Sequence, residues 1–151
     1  MSHKARIAYH ALAPEAAKAL IALSGAVRQG PLDAHLIDLV WLRISQVNGC
    51  TYCIDMHWRD LVKADADPRR LNALVAWEEA PFFDARERAA LRWSDIVTRS
   101  AGRDASDAEF AALQEHFSEA EIAQLGFAIS CMNAWNRMGI SFRQPVPANA
   151  S

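Results

Sequence analysis

Apolar residues recur at helical spacing along nearly the whole of this 151-residue chain, and no segment shows a sustained alternation of apolar and polar residues. A spacing near 3.6 residues indicates amphipathic helices, whereas alternation would indicate half-buried strands. We therefore predict an all-α protein of about seven helices. A chain of this length also fits a single domain with a sizeable core, so we expect one domain over residues 1–151.

The motif that matters most for function follows a predicted break between two helices. A helix over 33–47 ends at Asn48-Gly49, since glycine is common just past a helix C-terminus. The next helix therefore begins near Cys50, and we expect it to end in the region 63–67.

Other local signals mark the remaining helices. Pro14 suits the first position of one helix, and Gly30 is a plausible stop for it. Asp67-Pro68 combines a cap residue with proline at the first helical position, and the helix that it opens stops before Pro81.

Three later starts share the capping-box spacing, in which a cap residue is followed three positions later by Glu. These pairs are Asp84/Glu87, Ser106/Glu109 and Ser118/Glu121. The prolines of segment 143–147 predict an extended tail.

Composition and charge exclude several classes of function. The formal net charge of -2 provides no basic face for nucleic acid. No apolar run approaches the roughly 20 residues of a membrane span, and the N-terminus lacks the apolar stretch of a signal peptide. Three cysteines are a low and odd count for a secreted disulfide framework. We expect a cytoplasmic protein that binds neither nucleic acid nor membranes.

Two of the three cysteines stand three residues apart, and His57 follows Cys53 by four. Positions i, i+3 and i+7 share one helix face, so Cys50, Cys53 and His57 are predicted to converge. Cys50 lies near a helix N-terminus, where free N–H groups and the helix dipole favour a thiolate. Tyr52 either packs or offers its hydroxyl to the same pocket, and Trp41 is predicted to pack beside it. A dithiol beside an imidazole indicates thiol redox chemistry.

The spacing also suggests a role for each side chain. His57 can take the proton of the Cys53 thiol, or stabilise the thiolate as imidazolium, so Cys53 is the predicted nucleophile. Cys50, at the end expected to be more exposed, would resolve a Cys53 sulfenic acid to a disulfide that an external dithiol or redox protein reduces. Asp38, on the preceding helix, would approach His57 if the two helices form a hairpin, and there orient the ring or relay a proton.

Other interpretations of the motif stay open. Zinc bound by Cys50, Cys53 and His57 would need a fourth ligand, and the remaining cysteine and histidines are scattered. The pair could also be inert core cysteines or a redox sensor without turnover. Cys131 lies in an apolar run and is predicted to be a core thiol. The redox interpretation requires neither a cofactor nor a metal.

The segment 38–57 resembles the core of the alkylhydroperoxidase D-like proteins of the carboxymuconolactone decarboxylase superfamily. The segments 76–83 and 133–137 are also similar, so the likeness covers about residues 20–147. This resemblance implies an all-α fold and a homo-oligomer, commonly a trimer or hexamer. It also implies a peroxide substrate and an external dithiol or redox protein as reductant.

The resemblance also assigns residues by position. Cys53 matches the peroxide-reactive cysteine, Cys50 its disulfide partner and proton donor, and His57 the relay histidine. Asp38 stands where the family usually has Glu, and Tyr52 where its best-known members have His. The decarboxylase branch lacks the cysteine pair, which argues against a lactone decarboxylase. The resemblance therefore implies an antioxidant thiol-dependent alkyl hydroperoxidase or disulfide reductase.

Overall fold

A computed structural model describes residues 4–99 and 104–148, and this part of the chain forms eight α-helices without any strand. In chain order they are α1 (Tyr9–Leu12), α2 (Pro14–Arg28), α3 (Ala34–Asn48), α4 (Thr51–Lys63), α5 (Pro68–Ala73), α6 (Ala85–Arg99), α7 (Asp107–Gln114) and α8 (Glu119–Ser141). The predicted all-α class is confirmed. Across the described residues, none of these helices has the length and apolarity needed to cross a bilayer.

Helix α3 is the centre of the fold and packs against α4, α6 and α8. Nine residues of α3 between Leu36 and Ser45 are buried. Eight of them are apolar or small, and the ninth, Arg43, is charged. One apolar cluster lies between α3 and α8, and a second lies between α3, α4 and the segment 71–83. A helix buried on all sides is apolar on all sides, which explains the continuous apolar run in its sequence.

The bounds of α3 and the start of α4 agree with the sequence prediction. The Asp33 carboxylate accepts the backbone N–H groups of His35 and Leu36, which fixes the start of α3. Gly49 ends α3 with a left-handed φ of 73°, a conformation that glycine adopts without a steric penalty. Cys50 follows as the N-cap residue of α4, so the chain reverses within two residues and α3 and α4 form the predicted hairpin.

The later helix starts also match their signals. Asp84 and Glu87 exchange backbone-to-side-chain hydrogen bonds, at 2.8 and 3.0 Å, in a reciprocal capping box. Ser118 and Glu121 form the same arrangement at the start of α8. Ser106 caps α7 in one direction only, because the Glu109 carboxylate is bound by an arginine of α6.

Helix α1 is one short helix more than the sequence predicted. It has no side-chain cap, and it depends on the far end of the chain for support. The Tyr9 ring lies 5.3 Å from the Phe142 ring, and the Arg6 N–H donates to the Phe142 carbonyl at 2.9 Å. A single turn held by tertiary contacts leaves no local signal.

The helix predicted to run from Pro68 almost to Pro81 ends earlier, because the α-helical part stops at Ala73 and a 3-10 turn follows. The Arg43 guanidinium donates to the carbonyl oxygen of Val75 at 3.1 Å, and so binds a group that a continuing helix would use internally. The tail also differs from its prediction at Arg143, which has a left-handed φ of 54° rather than an extended one.

Candidate active site

Cys50 and Cys53 form a disulfide across the first turn of α4. The Cys50 sulfur also accepts the backbone N–H of Cys53 at 3.4 Å, as an N-cap residue does. Both cysteines are buried, with Cys50 2% and Cys53 3% exposed. The expectation that Cys50 is the more exposed of the two is therefore wrong, because the site lies beneath α8 and is not at a frayed helix end.

The backbone of α8 comes close to the disulfide at Gly139. A Cβ atom built at Gly139 would lie 3.0 Å from the Cys50 sulfur and 3.7 Å from the Cys53 sulfur. The first of these distances is shorter than ordinary van der Waals contact, so glycine lets the backbone of α8 cover both sulfurs. This residue was not identified from the sequence, because nothing local at position 139 points to the cysteines.

His57 lies one helical turn beyond Cys53 and is only 2% exposed. Its ring centroid is 5.5 Å from that of Trp41, and within the described residues neither ring nitrogen has a hydrogen-bond partner. Burial lowers the pKa of His57 to about 4, with a further contribution from the positive charge of Arg28. The imidazole is therefore neutral at pH 7 and has a nitrogen free to accept a proton.

Asp38 is bound by Arg28 and not by His57. The carboxylate and the guanidinium form a two-point ion pair, in which Arg28 Nη1 donates to Asp38 Oδ2 at 3.1 Å. The guanidinium also lies 4.7 Å from the centroid of the Trp41 ring. Asp38 thus acts on the surroundings of His57 through Arg28, and its role in proton relay stays a prediction.

Arg28 was missed by the sequence reasoning. It lies at the end of α2, and only the tertiary fold brings it to Asp38 and Trp41 of α3. The sequence contained no signal for this pairing, since an arginine near a helix C-terminus is common for local reasons.

Cys53 and His57 line the same cavity, of about 320 Å³. Four aromatic side chains form much of its wall, and Arg28 and Asp60 are its charged residues. The aromatic residues are Tyr9, Trp41, Tyr52 and Trp135. Tyr52, for which packing and a place in the pocket both stayed open, and Trp41, which was predicted to pack, both line this cavity. The cavity suits a small, largely apolar molecule.

Cys50 lines a different and larger cavity, of about 550 Å³. Its walls are the first turn of α4, the end of α8 and the segment that follows α8. Tyr52, Gly139 and Gln144 line both cavities. The disulfide therefore lies between two cavities, with Cys50 in the wall of one and Cys53 in the wall of the other.

Cys131 is separate from this pair. It is fully buried in α8, its sulfur lies 3.3 Å from the Ser24 hydroxyl, and burial raises the pKa of its thiol. The prediction of a core thiol agrees with this position. In residues 4–99 and 104–148, no group of three or more His, Cys, Asp and Glu side chains is arranged to hold a metal.

This chain combines an all-α fold, a cysteine pair at the N-terminus of a helix and a buried histidine. These features define its class of protein. The Carboxymuconolactone decarboxylase family matches residues 14–95, and the chain is a member of that family. The resemblance noted from the sequence is thereby confirmed.

Three known proteins are similar to this chain in sequence or in fold. YdfG of Bacillus subtilis, an uncharacterized protein, is 32% identical over 136 residues, which cover 90% of this chain and 92% of YdfG. ATU0492 of Agrobacterium tumefaciens is a protein of unknown function and a candidate antioxidant defence protein AhpD. Its crystal structure matches this chain with a TM-score of 0.92 at 38% identity, and the match covers 97% of this chain and 100% of ATU0492. The debrominase Bmp8, solved with 2,3,4-tribromopyrrole, has a TM-score of 0.81 at 18% identity, covering 91% of this chain and 74% of Bmp8. The likeness to Bmp8 concerns the fold alone.

Proposed function

We propose that this protein is a thiol-dependent peroxidase of the alkylhydroperoxidase D type, with disulfide reduction as part of its cycle. The observation that carries the proposal is the shared cavity of Cys53 and His57, with Cys50 bonded to Cys53 at its edge. A redox dithiol needs a nucleophilic thiol, a base for its proton and a second thiol for the disulfide. These three groups are present on one helix.

The low pKa of His57 distinguishes between its two predicted roles. A neutral imidazole accepts the proton of the Cys53 thiol, whereas an imidazolium could only stabilise a thiolate already formed. In the reduced enzyme, His57 then acts as a general base that takes the Cys53 proton as the sulfur attacks the peroxide. The position of the thiolate in the first turn of α4 adds favourable interaction with the helix dipole.

The cycle then proceeds in balanced steps. The Cys53 thiolate attacks the outer oxygen of a hydroperoxide, the O–O bond breaks, and the alkoxide takes the proton from His57 and leaves as an alcohol. The resulting Cys53 sulfenic acid condenses with the Cys50 thiol to give the disulfide and water. An external dithiol returns two electrons by thiol–disulfide exchange.

The relatives support this proposal to different degrees. ATU0492, described as a candidate antioxidant defence protein, agrees with it. Bmp8 indicates that the same fold also serves dehalogenation. The aromatic cavity of this chain would also admit a substrate of that kind. The cysteine pair favours the peroxidase, and a substrate screen separates the two activities.

The test is turnover of cumene hydroperoxide with dithiothreitol as the electron donor. We expect steady consumption by the native protein and loss of at least about a hundredfold in Cys53→Ser, because the nucleophile is removed. Cys131→Ala is the matched control and should retain activity, since Cys131 lines neither cavity.

Several results would contradict the proposal. Full turnover in Cys53→Ser would exclude the cysteine mechanism, and turnover of a lactone or a bromopyrrole by that variant would indicate another reaction. Oxidation of the thiols by peroxide without turnover would indicate a redox sensor. Stoichiometric zinc with unreactive thiols, in protein purified without chelator, would indicate a metal site.

A further inference from the structure

The two cysteines of the disulfide line different cavities. Cys53 lines the smaller cavity together with His57, and Cys50 lines the larger one, where His57 is absent from the wall. A molecule in the smaller cavity therefore meets Cys53, and a molecule in the larger cavity meets Cys50.

The backbone of α8 forms part of the partition between the two cavities. Gly139 approaches both sulfurs, and its carbonyl accepts the backbone N–H of Gln144 at 2.8 Å, which holds the start of the tail against α8. Because the partition contains helix backbone and this hydrogen bond, opening one cavity to the other would require movement of α8. The separation of the two sulfurs is thus a property of the fold.

The charges of the two cavities also differ. Among the described residues that line the larger cavity, Arg143 carries a charge and none is an Asp or Glu. The smaller cavity has both signs, in Arg28 and Asp60. A positive cavity attracts an approaching thiolate and favours exchange at the sulfur inside it.

We propose that the two half-reactions use opposite sides of the disulfide: the hydroperoxide reaches Cys53 through the smaller cavity, and a small dithiol reaches Cys50 through the larger one. This inference rests on the proposed thiol redox function and adds the site of attack by the reductant.

The reductive step balances at Cys50. A thiolate of the dithiol attacks the Cys50 sulfur, the Cys50–Cys53 bond breaks, and Cys53 leaves as a thiolate. The second thiol of the reductant then attacks its own mixed-disulfide sulfur, and Cys50 leaves and is protonated to the thiol. Two electrons pass to the protein, and the reductant becomes a cyclic disulfide. Attack at Cys50 regenerates the Cys53 thiolate in the cavity where peroxide binds, whereas attack at Cys53 would leave the reductant bonded there.

A pair of cavity-filling variants tests the separation. Val146 lines only the larger cavity and Ile21 only the smaller one, and both are exposed residues that tolerate substitution. Stopped-flow fluorescence measures two rate constants: oxidation of the reduced protein by cumene hydroperoxide, and reduction of the disulfide by dithiothreitol. Val146→Trp should lower the ratio of reduction rate to oxidation rate by about tenfold, and Ile21→Trp should raise it similarly, because exchange rates follow access to the attacked sulfur.

The matched control is Val75→Trp, which makes the same substitution at an exposed position outside both cavities and should leave the ratio unchanged. An unchanged ratio in Val146→Trp, or slower reduction in Ile21→Trp, would overturn the proposal.

The attacked sulfur can also be identified directly. The disulfide form, prepared with diamide, is mixed with 2-mercaptoethanol, quenched in acid within milliseconds and alkylated, and the adduct is located by peptide mass spectrometry. We expect mercaptoethanol on Cys50 and the alkyl group on Cys53, and the reverse assignment would refute the inference. Because diamide replaces peroxide, this result does not depend on peroxidase activity. Failure of peroxide to oxidise the reduced protein would instead refute the proposed function.

Discussion

His57 is a titratable side chain without a polar partner among the described residues, in a wall made largely of aromatic rings. An unpartnered buried imidazole loses hydration and gains nothing in return, so its neutral form is strongly favoured. Arg28 acts in the same direction through its positive charge. The protein thus holds a base at its redox cavity in the form that can accept a proton.

Removing the positive charge should make His57 more basic. In Arg28→Gln the positive charge that lowers the pKa of His57 is removed, and the ion pair with Asp38 is lost. We expect the pKa of His57 to rise above about 4 but to stay below 6.5, because burial is the larger cause of the lowering. NMR titration of the imidazole signals measures it. The control is Arg92→Gln, which removes an arginine paired with Glu109 outside the cavity and should leave the pKa of His57 unaltered. An unaltered pKa in Arg28→Gln would refute the electrostatic effect of Arg28 on His57.

The approach of α8 to the disulfide depends on the missing side chain of Gly139. A methyl group there would crowd the Cys50 sulfur at 3.0 Å, so Gly139→Ala should lower the free energy of unfolding of the disulfide form by about 1–3 kcal/mol. Gly126→Ala is a matched control in the same helix, because a Cβ atom there meets nothing within 4 Å. It should stabilise the protein by up to about 1 kcal/mol through helix propensity. Urea denaturation measures both, and equal effects would show that Gly139 is not sterically required.

The part of the site that the sequence predicted is the part that lies on one helix. Spacing alone placed Cys50, Cys53 and His57 together, since all three belong to the first two turns of α4. Arg28 and Gly139 come from α2 and α8, and their positions depend on helix packing that no local pattern encodes. The predicted approach of Asp38 to His57 relied on the hairpin alone and did not include Arg28.

At the scale of helices, starts were predictable and some ends were not. A cap residue binds backbone groups two or three positions away, so its signal is local, as at Asp33, Ser118 and Cys50. The early end of α5 depends instead on a side chain of α3, because Arg43 binds carbonyl groups of the 3-10 turn. Tertiary partners of this kind decide boundaries that propensity leaves open.

The ion pair of Arg43 with Asp95 joins α3 to α6 in the core, with contacts of 2.7 and 2.6 Å. Arg43→Met should lower the free energy of unfolding by roughly 3–5 kcal/mol, because it leaves a buried carboxylate without its main partner. Arg59→Met removes an arginine from a more exposed pair within α4 and should cost less than about 1 kcal/mol.

A double variant separates charge from packing in this pair. Arg43→Met with Asp95→Leu replaces both charges by apolar groups and should recover much of the lost stability. If it is as unstable as Arg43→Met alone, the loss comes from packing, and the electrostatic explanation fails.

At the scale of the whole molecule, the site is assembled from separate parts of the chain around α3. The redox motif belongs to α4, the ion pair to α2 and α3, and the cover to α8. The helical spacing of apolar residues predicted this class of fold, while the two cavities arise only once the helices pack. A consequence is that the ionisation of His57 is coupled to folding of the entire protein and not only to the local helix.

The coupling predicts how stability depends on pH. The pKa of His57 is about 4 in the folded protein and near the ordinary 6.5 when the chain unfolds, so between these values the unfolded chain binds more protons. The contribution of His57 is therefore fully present above pH 6.5 and is lost as the pH falls towards 4, by roughly 3 kcal/mol in total. Urea denaturation of the disulfide form at a series of pH values should show this loss in the native protein and in His35→Gln, whose histidine lies outside the cavity. In His57→Leu the loss over the same interval should shrink by about that amount, leaving only the titration of the carboxylates. A slope that is identical in the native protein and in His57→Leu would mean that the imidazole is already solvated when folded, and the neutral base proposed for the peroxidase would lose its physical basis.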